Sequence, residues 1–198
     1  MTQKDKVIEL LKENNGILTS GEAKEAGVAY KTLQRMSRVG EIEKLKQGLY
    51  VDTNQMEDDY FLSQFRCKKG ILSHETALYF HDLTDRTPLK IMMTIPSGYN
   101  TRLLKEKRKY KFFYISEKLH TIGKIKMETP FGHQVSVYDK ERTICDCLKK
   151  KDKLDLDLVT EAVKRYLKIP GADYAKLLEY AEIFNIKDLV RNYMEVLK

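Results

Sequence analysis

Residues 19–51 read TSGEAKEAGVAYKTLQRMSRVGEIEKLKQGLYV, and the punctuation of this stretch decides the fold of the N-terminal part. Thr19 stands at an N-cap position and Glu22, three residues on, completes a capping box, so a short helix is predicted to follow. Gly27 halts that helix and supplies the permissive φ that the turn of a helix-turn-helix requires. Residues 30–39 predict a second helix that buries Leu33, Met36 and Val39. Its outer face carries Tyr30, Lys31, Thr32, Gln34, Arg35, Ser37 and Arg38, and Gly40 stops it. Residues 42–45 and 49–51 are β-prone and joined across Lys46-Gln47-Gly48, which predicts a hairpin. Upstream, residues 3–14 space Val7, Ile8, Leu10 and Leu11 at helical intervals, Asn14-Asn15-Gly16 is a stop, and Ile17-Leu18 is an apolar bridge. Three helices and a β-wing form a winged helix-turn-helix, with a small core drawn from Val7, Leu11, Leu33 and Leu49.

That arrangement has a chemical use. A DNA major groove about 12 Å wide admits one helix, and Arg, Gln, Thr and Tyr side chains reach base edges from it. The candidate DNA-binding residues are therefore Tyr30, Lys31, Thr32, Gln34, Arg35 and Arg38, with Lys46 and Gln47 of the wing on adjacent phosphates or in the minor groove. A charged helix face is often merely solvated. Here cap, turn glycine, basic helix, stop glycine and basic hairpin follow in the order that DNA binding needs.

The charge balance permits a polyanionic partner: 36 Lys and Arg against 29 Asp and Glu give a net charge of +7. Its distribution says more. Residues 30–48 hold Lys31, Arg35, Arg38, Lys44 and Lys46 against Glu41 and Glu43, and a second basic zone occupies residues 99–126. At 198 residues the chain suits one large domain or two small ones. No apolar run approaches the roughly 18 residues of a membrane span, and the charged start lacks a signal-peptide core. Cys67, Cys145 and Cys147 are too few and too oddly spaced for a disulfide framework. A reduced, cytoplasmic protein without membrane association is expected.

The polar, acidic stretch 53–59 (TNQMEDD) marks a boundary, giving domains at 1–56 and 57–198. Beyond it, helices are expected over residues 60–67 and 74–80, the latter capped by Ser73. Strands are expected over 90–95, 110–115, 122–128 and 134–138, then a helix over 140–149 capped by Asp139. Three amphipathic helices over 154–167, 173–184 and 187–197 finish the chain. The fold class is α+β: a winged helix-turn-helix, then a mixed α/β domain with a small, mostly antiparallel sheet and a helical tail.

Residues 16–51, followed by GILSHETALYFHDLTDRTP at 70–88 and VSVYDKERTICDCL at 135–148, together resemble the AbiEi family, the antitoxins of bacterial abortive-infection (type IV toxin–antitoxin) systems. The resemblance covers nearly the whole chain and rests on this combination of segments rather than on the helix-turn-helix alone. It implies a phage-defence role and an N-terminal DNA-binding domain that represses its own operon at inverted repeats. It also implies a C-terminal antitoxin domain that counteracts a partner nucleotidyltransferase toxin, with no obligatory stable complex between the two. One winged helix covers a half-site, so a monomer or weak dimer would occupy an inverted repeat as two copies.

Other constellations are weaker. Asp155-Leu156-Asp157 has the form of a metal-binding pair but lacks an upstream phosphate-binding motif, and acidic residues favour a helix start in any case. Cys145 and Cys147 point roughly 200° apart on a helix and suit core packing. His74 and His81 read as packing rather than as a metal site. No catalytic residue, metal or cofactor is expected, and the chain is not read as an enzyme. The basic run 102–111 (RLLKEKRKYK) leaves three readings open: a solvated loop, extra contact with the DNA backbone, or an electropositive surface serving antitoxicity through Lys105, Arg108 and Lys109. The alternative function is a winged-helix regulator with a ligand-sensing C-terminal domain.

Overall fold

The computed structural model describes residues 2–54 and 57–197. Two compact units emerge, Met1–Asp58 with Pro130–His133, and Asp59–Thr129 with Gln134–Lys198. Met56, where the sequence places the domain boundary, lies outside the described residues.

In the first unit, helix α1 (Gln3–Glu13) starts from a capping box between Thr2 and Asp5. Strand β1 (Ile17–Thr19) leads into α2 (Ser20–Glu25), where the expected box forms: the Glu22 N–H donates to Thr19 Oγ1 at 3.1 Å and the Thr19 N–H to Glu22 Oε2 at 2.8 Å. Gly27 turns the chain at φ +75°, a value L side chains rarely adopt, and α3 (Tyr30–Arg38) follows. Strands β2 (Ile42–Lys46) and β3 (Leu49–Asp52) form the hairpin, and β1 adds to the other side of β3, giving an antiparallel sheet ordered β1-β3-β2. The apolar bridge at Ile17-Leu18 is thus a strand. Val7, Leu11, Leu18, Leu33, Met36, Ile42 and Tyr50 close one core. Val39 was expected inside but is 62% exposed. Each three-residue step turns the side chain back by about 60°, so the second step from Leu33, which reaches Val39, leaves the buried face.

The second unit begins with α4 (Asp59–Arg66), β4 (Ile71–Leu72) and α5 (His74–Phe80). It continues through β5 (Ile91–Pro96), β6 (Tyr110–Ile115), α6 (Glu117–His120), β7 (Lys124–Glu128) and β8 (Gln134–Tyr138). Helices α7 (Lys140–Lys149), α8 (Leu156–Leu167), α9 (Tyr174–Ile183) and α10 (Lys187–Leu197) complete it. The sheet order is β6-β5-β4-β8-β7. β4–β5 and β7–β8 pair antiparallel, but β5–β6 and β4–β8 pair parallel, so the sheet is mixed rather than mostly antiparallel. The reason is the connection after β5: its long loop, with a 3-10 turn at Arg102–Lys105, brings the chain back to start β6 in the same direction. The edge strand β7 carries Lys124, Lys126 and Glu128 exposed, which discourages pairing with another chain. Ser73 occupies the N-cap of α5, yet its hydroxyl makes no cap bond; it is engaged by His74 and Thr94 instead.

Helix α7 is buried from Glu141 through Leu148, with α5, α8, α9 and α10 packed around it. That explains why Cys145 and Cys147 are both buried despite facing different ways; burial pushes the Cys145 thiol up to about 12. The same helix buries Arg142 completely. Its Nε donates to Asp146 Oδ1 at 3.0 Å, and its Nη1 to the carbonyls of Leu119 (3.0 Å) and Ile122 (2.9 Å). The guanidinium lies 4.2 Å from the Tyr138 ring centroid and 4.0 Å from that of Phe184. Gly123 lets the backbone come this close: at φ +74°, a Cβ there would sit 2.7 Å from Arg142 Cβ. Arg142→Ala is expected to lower stability by about 3–5 kcal/mol, because it leaves the Asp146 carboxylate buried and unpaired. Gly123→Ala should cost about 1–3 kcal/mol from backbone strain alone. Urea unfolding of both variants measures these losses.

Candidate nucleic-acid interface

Helix α3 sorts its side chains by period. Leu33 and Met36 are buried, while Tyr30, Lys31, Gln34, Arg35 and Arg38 are exposed. At about 100° per residue these five span roughly 140° of the helix surface, one continuous face. Tyr30, 49% exposed, stands at its first turn. Thr32 is half-buried and falls on the flank rather than among the five, so the outer face is narrower than the sequence suggested. Lys46 and Gln47 are exposed at the β2–β3 turn. The first unit therefore holds a basic and polar helix face and a basic hairpin tip on one small scaffold.

A residue that sequence reading passed over steadies this helix. Gln3 of α1 donates from Nε2 to the Gly27 carbonyl at 3.1 Å, and its Oε1 accepts from the Ala29 N–H at 2.8 Å. Ala29 is the N-cap of α3 and offers no side-chain cap of its own. One glutamine thus fixes both sides of the α2–α3 turn. A lone Gln bonding to backbone 24 and 26 positions away leaves no pattern in the sequence.

In the second unit, Lys105, Arg108 and Lys109 are all exposed on the loop entering β6. Neighbouring charges are partly engaged: Arg66 pairs with Glu106, and Lys109 with Asp59. Lys107 and Lys111 line an open groove of about 700 Å³ beside Leu104, Tyr110 and Phe112. β6 itself is an edge strand that buries Tyr110 and Phe113 and exposes Tyr114.

The constellations set aside on sequence grounds have structural partners. Asp155 caps α8 through the N–H groups of Asp157 and Leu158 and pairs with Arg86 at 2.9 Å. His81 Nε2 lies 2.6 Å from the Tyr138 carbonyl, whereas His74 stacks on Phe113, so the two histidines do not converge. No group of three or more metal-ligating side chains occurs among the described residues, and none of the described helices is long and apolar enough to cross a membrane.

Residues 5–51, the segment that contains α3 and most of the wing, match a family of transcriptional regulators. That family is described as "Transcriptional regulator, AbiEi antitoxin", so the AbiEi resemblance holds over this segment. The crystal structure of the RV2827C protein from Mycobacterium tuberculosis is similar over 98% of this chain and 81% of that one, with 13% identity and a TM-score of 0.52. At that identity the likeness concerns fold alone. A search of the curated proteins found no match.

For DNA from upstream of the protein's own gene, Arg35→Ala is expected to weaken binding by roughly 1–3 kcal/mol and to relax base preference. Lys46→Ala should weaken binding to every sequence alike and reduce the salt slope by about 1. Gel-shift titrations at several salt concentrations separate the two effects.

Proposed function

We propose that the chain is the antitoxin and autorepressor of a type IV toxin–antitoxin system. Residues 1–56 act as a winged helix-turn-helix, with α3 in the major groove and the β2–β3 turn on the flanking backbone. Two copies occupy an inverted repeat upstream of the operon, whether the free protein is a monomer or a weak dimer. Residues 57–198 counteract a nucleotidyltransferase toxin, with Lys105, Arg108 and Lys109 as the electropositive surface. The protein works in the cytoplasm by binding rather than by catalysis. The observation that carries this reading is the family match over residues 5–51, which falls on the segment whose basic helix face and hairpin tip are exposed.

The two activities are expected to separate in the full-length chain. Reversing Lys105, Arg108 and Lys109 to Glu should abolish protection against the induced product of the adjacent gene and leave repression intact. Arg35→Ala combined with Lys46→Ala should do the opposite. Growth with induced toxin and a promoter–reporter assay read the two outcomes, with protein levels checked. Full protection by the triple variant removes the basic loop from the scheme. Failure of the wild-type chain to protect at all removes the antitoxin reading.

A further inference from the structure

One cavity in the second unit, about 290 Å³, is lined by His74, Arg142 and Asp146 together. Each of these residues brings a buried polar atom that has no hydrogen-bond partner among the described residues: His74 Nε2, Arg142 Nη2 and Asp146 Oδ2. A buried unpaired polar group costs about 1–3 kcal/mol, so three around one cavity is an expensive arrangement unless something else satisfies them. His74 adds strain of its own, standing at φ +50° at the start of α5.

The surroundings define what the atoms offer. Thr94 donates to Ser73 Oγ at 2.9 Å, and Ser73 Oγ in turn lies 2.9 Å from His74 Nδ1, an arrangement in which the Ser73 hydroxyl donates to the ring. Nδ1 is then an acceptor, which leaves the proton on Nε2 as a donor. Burial and the nearby Arg142 charge hold His74 well below its usual range, so the ring is neutral. Stacking on Phe113, with centroids 3.5 Å apart, fixes its plane. Lys149 and Lys150 also line the cavity, so three cations face the one carboxylate of Asp146. Phe113 and Phe184 supply apolar wall. The volume is that of roughly ten water molecules at about 30 Å³ each, too large for a bare inorganic anion.

We propose that this cavity binds a phosphate monoester of mononucleotide size. Arg142 and His74 donate to the phosphate oxygens, Lys150 balances the second negative charge, and Asp146 accepts from a hydroxyl or amine of the ligand. The site stands independently of the antitoxin reading, since it uses neither α3 nor the basic loop.

Isothermal titration of the full chain with the four ribonucleoside monophosphates, inorganic phosphate and succinate tests the proposal. At least one mononucleotide should bind saturably with Kd below about 1 mM and raise the Tm. Lys150→Glu, at a side chain without a hydrogen-bond partner among the described residues, should weaken that binding about tenfold or more. His74→Asn, which tolerates the positive φ, should do the same. Three results overturn the assignment: no mononucleotide binds at about 10 mM; phosphate or succinate binds more tightly than every mononucleotide; or a folded Lys150→Glu variant binds as the wild type does.

Discussion

The Arg142 guanidinium lies out of reach of solvent between the rings of Tyr138 and Phe184, and it gives three hydrogen bonds, one within its own helix and two to carbonyls from an earlier part of the chain. Removing such an ion from water costs several kcal/mol, and attraction offsets this only when the geometry is good. Here it is. The carboxylate of Asp146 sits one turn along α7, the two carbonyls come from Leu119 in α6 and Ile122 just after it, and the aromatic faces come from the end of β8 and the residue after α9. Each of those elements must be in place before the charge is compensated. The buried cation therefore makes sheet and helical tail depend on one another, which neighbouring Leu and Val contacts tolerate breaking more gradually. One guanidinium nitrogen has no hydrogen-bond partner among the described residues, at the cavity shared with His74.

The first unit is held by different means. Its determinants are local: two capping boxes, a turn glycine, a two-residue hairpin turn and a compact cluster around Leu33 and Tyr50. Such a scaffold has little interior to spare, so its long polar side chains point outward and are available to a partner. That division suits a regulator. A small base presents a helix, and five side chains of that helix are exposed on one face rather than gathered in a pocket.

Local signals were legible in the sequence and non-local ones were not. The ranges of α5, β6, β8, α7 and α10 follow from capping residues, alternation and helical period, all read within about a dozen neighbouring positions. The parallel pairings of β5 with β6 and β4 with β8 leave no such trace, because pattern does not say which strand lies beside which. Within α3 the period separates Leu33 and Met36 from the outer residues, but it was stretched too far at Val39 and drawn too wide at Thr32. Ser73 looked like a cap and instead serves as a hydrogen-bond relay to His74. The group of His74, Arg142 and Asp146 was hidden for the same reason as the strand order: its members lie on two helices far apart in the chain.

Methylation interference on the DNA upstream of the gene probes the central claim at the atoms concerned, since guanine N7 faces the major groove. Binding by α3 predicts two symmetric patches of interference whose centres lie about one helical turn, or a multiple of it, apart. Absence of any patch, or interference scattered without symmetry across unrelated sequences, contradicts the placement of α3 in the groove.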